Sequence, residues 1–177
     1  AESLMWWSQE GILNHGLVFR AKRWKGRTLP VVLAIWDGGS PALRPHGSWI
    51  RSQCRRGRAV FVLNVTGVGS ITPNPVSARP LHDFFGTIHK LACDLIWLDD
   101  DLAALRTFDV IRALDLIAEW PGLRGSGVRV YAHGKQGIYG QFAAALDRRI
   151  KAVDVHKGKG SFAKLVRSRI YDSSDIN

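Results

Sequence analysis

Acidic residues, sulfur and long apolar runs are what this sequence has least of. Its 177 residues hold 15 Asp and Glu against 25 Lys and Arg, with two cysteines and one methionine. Two cysteines, Cys54 and Cys93, make neither a disulfide framework nor a zinc pattern. Cys93 lies in an apolar stretch and is expected to be a buried small hydrophobe. Cys54 stands among arginines and is expected to have a lowered thiol pKa. His82 and His89, with Asp83 and Asp94, have no metal-ligand spacing. Neither a metal nor a cofactor is expected. No apolar run reaches the roughly 20 residues that span a bilayer. Ala1 to Gln9 lack a basic start and a long apolar stretch, so no secretory leader is expected. A processed secreted chain would read the same, which leaves the compartment open. There is no internal repeat and no linker, so 1–177 reads as one domain, with an irregular tail over 161–177.

Apolar content is ample. Hydrophobic residues make up 46% of the chain and include seven tryptophans, enough for a packed core. The net charge of +10 comes from three clusters, Arg20 to Arg27, Arg51 to Arg58 and Arg148 to Arg169. Such charge favours weak, nonspecific binding of nucleic acid, and Trp24 inside the first cluster is an aromatic that can stack on a base. No helix-turn-helix, zinc-finger or RNP-type motif accompanies it. Solvated loops and helix ends account for the same residues without a partner.

Periodicity gives alternating strands and helices. Leu17–Ala21 is a short strand. Val31–Ile35 and Ala59–Leu63 are apolar at every position, as in strands buried on both faces. Val128, Val130 and Ala132 alternate with polar residues, and Ile150, Val153 and Val155 mark a last strand. Helices are expected over Ser48–Arg56, Leu102–Trp120 and Ile138–Leu146. Asp99, Asp100 and Asp101 supply the cap of the second, and Pro121–Gly122 end it. Gly67 to Pro80 reads as a long loop. This alternation implies an α/β domain on a mostly parallel sheet with helices on both faces. Ligands of such sheets bind beyond the carboxyl ends of the strands. The turns Trp36–Ser40, Asn64–Gly69 and Ala132–Gly137 belong there.

At the third turn the sequence resembles the α/β-hydrolase superfamily, in its acetyl xylan esterase-like and dipeptidyl peptidase-like branches. Val128–Ala132 aligns with the strand that leads into the family's Gly-x-Ser-x-Gly elbow. Ala143–Asp147, Arg149, Ile150 and Val153 align with the helix and strand after it. Phe108–Asp115 looks like the helix before the elbow, and Trp36-Asp37-Gly38-Gly39 like the oxyanion segment, with Trp in place of His. The resemblance runs from Gly16 to about Ser168. It implies a carboxyl-ester hydrolase fold, with Gly134 at the nucleophile's position and Trp36, Asp37 and Lys135 around an oxyanion hole.

The chemistry departs from that pattern. Gly134 has no hydroxyl, and Lys135, Gln136 and His133 are not aimed as an elbow aims its nucleophile. His156 comes too early in the chain for the family's base. Asp172 and Asp175 have no His after them, so the fold reads as C-terminally incomplete. A P-loop fails at Arg129 and Gln136, where Gly and Ser or Thr are required. Gly134, Lys135 and Gly137 remain an anion-binding possibility at a helix start, or simply permit a tight turn. Two functions follow. One is a catalytically inactive carbohydrate-esterase-type hydrolase domain, a pseudoenzyme. The other is a non-catalytic module that binds an anionic partner such as nucleic acid through its basic surface. The edge of strand Ile150–Val155 is expected to be covered, by residues 161–176 or by a second copy in a homodimer.

Overall fold

The computed structural model describes residues 1–74, 86–158 and 167. Strands β1 (Glu2–Gln9) and β2 (Ile12–Phe19) form a hairpin, followed by β3 (Leu29–Trp36), helix α1 (Gly47–Arg55) and β4 (Ala59–Asn64). Helices α2 (Thr87–Trp97) and α3 (Leu102–Glu119) lead to β5 (Leu123–His133), then α4 (Gly137–Leu146) and β6 (Ile150–His156). The strand order is β1-β2-β4-β3-β5-β6. The pairs β4–β3, β3–β5 and β5–β6 are parallel, whereas β1–β2 and β2–β4 are antiparallel, so β2 alone among the described strands runs against the rest.

The apolar strands alternate between two cores, as side-chain period 2 requires. Leu33, Ile35, Phe61 and Val130 face α3 and α4, which supply Val110, Leu114, Ile117 and Ala143. Ala34, Trp36, Val60 and Val62 face Ile50 and Cys54 of α1. Helices therefore cover both faces, as the alternation implies. Asp101 caps α3, its Oδ1 accepting from Ala104 N at 2.6 Å. Arg149 ties the corner after α4 to α3, bonding Asp147 at 2.6 Å and Asp115 at 2.7 Å. These bonds give a physical role to the Leu-Asp-x-Arg-Ile stretch, and they hold the Asp147 carboxyl below its usual range.

One element went unread in the sequence, and the expectations for the two cysteines need correction. Glu2–Gln9 is a strand, hidden because Leu4, Met5, Trp6 and Trp7 run together and blur the alternation. Thr87–Trp97 is a helix that carries His89, Cys93 and Asp94. The two cysteines exchange environments: Cys54 is the buried one, and burial raises its thiol pKa. Cys93 is only partly covered, its sulfur 3.6 Å from His89 Nε2. The outer edge of β6 pairs with no strand among the described residues. Residues 161–166 and 168–176, expected as its cover, lie outside them, as do His82, Asp83, Asp172 and Asp175.

Candidate active-site cleft

From β3 the chain crosses through α1 to β4 on one side, and from β5 it crosses through α4 to β6 on the other. The crevice between the carboxyl ends of β3 and β5 is therefore the topological switch point, where open α/β sheets bind ligands. Asp37 follows β3, and Gly134 with Lys135 follows β5. A cavity of about 400 Å³ opens there, with Gly67 to Gly69 after β4 as its third wall.

Gly134 is buried and sits at φ +75°, the left-handed conformation of a strand-to-helix elbow. A Cβ built on it would stand 2.0 Å from Asp37 Oδ2 and 2.6 Å from Asp37 Cγ. The Asp37 carboxylate thus occupies the space that any side chain at position 134 would need. It accepts from Lys135 N at 3.1 Å, the amide next to the elbow position, and from Gln136 Nε2 at 3.4 Å. Of the remaining site residues, Gly137 has its N–H bonded to the Gly134 carbonyl. A Cβ at Gly137 would meet Val155 Cγ1 at 2.6 Å, so this glycine permits close packing of α4 on β6. Trp36 is only 1% exposed, donates Nε1 to the Gly39 carbonyl at 2.7 Å and stacks on His46. It holds the turn from below. His133 lies edge-on to His46 and His156 beside Tyr131, both away from Asp37's bonds.

Three groups in the cleft region escape a reading of the sequence alone. Asn64, fully buried at the end of β4, accepts from Ser40 N at 2.6 Å. Its Nδ2 lies within 3.0 Å of Ser40 Oγ, Ser70 Oγ and His15 Nδ1. It clamps the loops after β3 and β4 so closely that a Cβ at Gly39 or Gly69 would stand 2.2 or 2.1 Å from its Oδ1. Arg106 of α3, 7% exposed, lines the cavity and bonds the Thr66 carbonyl and Tyr139 Oη. Asp109 receives Asn14 Nδ2, Thr66 N and Thr66 Oγ1, each at 2.7 Å. Arg106 and Asp109 fall on the same helical stripe as Leu102, Leu105 and Ala113, and that placement was the available signal.

Ser70 Oγ lies 2.7 Å from His15 Nδ1, a hydroxyl beside a base. The other ring nitrogen faces Ser3 Oγ at 2.8 Å instead of a carboxylate, and Asn64 Nδ2 competes for the same Nδ1 lone pair. The set is a loop clamp and lacks the acid that orients a catalytic imidazole.

Burial holds both His15 and His46 below their ordinary pKa of 6.5, and the neighbouring His133 adds to this at His46. Folding therefore favours the neutral rings. The associated stability is fully present above about pH 6.5 and is lost as pH falls through the folded-state values. The thermal midpoint is expected to drop as pH falls below about 6.5, before the carboxylates titrate. His46→Phe, which keeps the stack on Trp36, is expected to reduce that drop. Melting curves across this window check both statements.

No protein-family model matches the sequence, and no curated protein does. Solved structures do match. An inferred acetyl xylan esterase from Bacteroides fragilis aligns over 85% of this chain and 43% of its own, at a TM-score of 0.69 and 11% identity. A dienelactone hydrolase-like promiscuous phosphotriesterase from metagenomic libraries aligns over 89% and 58%, at 0.63 and 14%. An acetyl xylan esterase from a Paenibacillus species aligns over 85% and 46%, at 0.58 and 24%. The chain spans about half the length of these structures. Strand order and these likenesses agree: the chain has the α/β-hydrolase fold.

Proposed function

We propose that this is an esterase-like α/β-hydrolase domain whose elbow carries out no acyl transfer, and whose cleft binds instead of hydrolysing. One observation carries the reading. The Asp37 carboxylate stands where the nucleophile's side chain would be and takes the elbow's Lys135 amide for itself. Acyl transfer needs an activated hydroxyl there and a free donor for the developing oxyanion. A neighbouring carboxylate supplies neither, and its charge opposes an oxyanion. The test is turnover of p-nitrophenyl acetate by the purified chain, which is expected to equal the buffer rate. Turnover above it, abolished by Gly134→Ala, would overturn the proposal.

A second reading has its own support. Two of the basic clusters meet in space at the amino ends of the parallel strands, opposite the cleft. Arg23 donates to the Arg55 carbonyl, and Trp24 Nε1 to the Cys54 carbonyl at 3.1 Å. Arg20, Lys22, Lys25 and Arg27 line a cavity of about 800 Å³ beside Trp24, with Glu2 as the carboxylate among them. Arg23 and Arg27 already lie over the Trp24 ring, which removes it as a free base-stacking platform. The patch therefore suits phosphate backbones without base readout. Binding to duplex DNA is expected to be independent of sequence and to fall at least about tenfold between 50 and 200 mM salt, by counterion release. Titrations at the two salt concentrations measure it. Tight, sequence-dependent binding at the higher salt would contradict this reading.

A further inference from the structure

We propose that the cleft beside Asp37 binds a small monoanionic organic acid with a hydrogen-bond donor next to its carboxylate, such as a 2-hydroxy acid. Arg106 would receive the carboxylate and Gln136 Oε1 the donor. This rests on reading the cleft as a binding site, and it adds the class of ligand.

Two buried side chains lining the cavity have unused hydrogen-bonding capacity of opposite kind. Arg106 is 7% exposed. Its Nε bonds the Thr66 carbonyl at 3.0 Å and its Nη1 bonds Tyr139 Oη at 2.9 Å. Those two bonds fix the guanidinium plane. Nη2 is the guanidinium atom that approaches Gly67, where a built Cβ would lie 3.7 Å from it and closer still to Ile88, at 2.1 Å from Cδ1. Nη2 has no hydrogen-bond partner, and no carboxylate pairs with Arg106, among the described residues. Asp109, one helical turn on, is fully engaged by Asn14 and Thr66. A buried cation without a counter-charge is costly, and a carboxylate is the anion that matches the guanidinium fork.

Gln136 is also 7% exposed. Its Nε2 faces Asp37 Oδ1, and its Oε1 is buried with no hydrogen-bond partner among the described residues. The orientation is fixed by chemistry, because a flipped amide would press its oxygen against the Asp37 carboxylate. A buried acceptor left open calls for a donor. The ligand must therefore carry an acceptor anion for Arg106 and a donor for Gln136. Arg106 and Lys135 against Asp37 leave the lining with one net positive charge, which one carboxylate balances. A cavity of about 400 Å³ leaves ample room for a small acid.

The test is calorimetric titration of the purified chain with L-lactate, with propionate as the same carboxylate lacking the hydroxyl, and with inorganic phosphate. L-lactate is expected to bind about tenfold more tightly than propionate, and more tightly than phosphate. Arg106→Lys is expected to weaken lactate binding about tenfold, because a point charge replaces the fork. Gln136→Met keeps the volume and removes the acceptor, and is expected to bring lactate down to the affinity of propionate. Melting curves establish that each variant is folded. If Arg106→Lys is not, the Gln136→Met comparison decides. Equal affinities for lactate and propionate, no saturation by lactate below about 50 mM, tighter binding of phosphate, or a folded Arg106→Lys that binds lactate normally would each overturn the proposal. The readout is binding heat. Ester turnover with the lactate pattern intact would remove only the inactive-elbow reading, and absent lactate binding without turnover would remove only this inference.

Discussion

Replacing Asn64 by Leu is expected to cost about 3–5 kcal/mol of stability, among the largest single-residue effects in the molecule. The side chains are similar in size, so packing is not the cause. Asn64 is fully buried at the end of β4, and its oxygen is the acceptor for the buried Ser40 amide. Its Nδ2 also reaches Ser40 Oγ, Ser70 Oγ and His15 Nδ1. Leu leaves the amide without a partner and brings a branched methyl against Gly39 and Gly69, which already lie too close for a Cβ of their own. Both loops frame the cleft, so lactate binding should be lost along with stability. Urea unfolding measures the first effect. A loss below about 1 kcal/mol would mean that the loops are held by something other than this clamp.

Gly134→Ser is expected to give no ester hydrolysis and to destabilise the protein by about 2–3 kcal/mol. A non-glycine residue at φ +75° costs about 1–2 kcal/mol. The remainder comes from the Asp37 carboxylate, whose Oδ2 lies 2.0 Å from the new Cβ. Asp37→Ala clears that space while costing only the bonds to Lys135 and Gln136. The double variant should therefore recover roughly half the loss, a coupling that a double-mutant cycle reads directly. Activity should stay at the buffer rate even in the double variant. A hydroxyl without a base to take its proton is a poor nucleophile, and the imidazoles of His133 and His156 pack on His46 and Tyr131.

The parts of this molecule that were legible in the sequence are those governed by short-range pattern. The all-apolar runs at Val31–Ile35 and Ala59–Leu63 are central strands. The helix from Leu102 starts at its acidic cap and stops before Pro121. The three turns at the carboxyl ends were placed correctly, because a parallel sheet sends every strand end to one side. What the sequence hid is contact across long separations. Asp37 and Lys135 are 98 residues apart, and nothing local announces that the acid of one turn fills the other. The same holds for Asn64 and His15, 49 residues apart. Cys54 misled for a related reason. Its arginine neighbours along the chain belong to the solvent face of α1, while its own side chain points into the core beneath β4. Trp24 shows the converse: two of its cationic neighbours along the chain, Arg23 and Arg27, do lie over its ring, where a base would stack.

Covalent labelling tests the central claim most directly. A fluorophosphonate reacts with any serine that is activated as an acyl-transfer nucleophile, whatever its substrate. The intact mass of the chain after prolonged exposure is expected to be unchanged, because Gly134 offers no hydroxyl and Ser70 only serves the clamp around Asn64 and His15. A stoichiometric adduct, mapped to Ser70 or to any other serine and lost on heat denaturation, would contradict that claim.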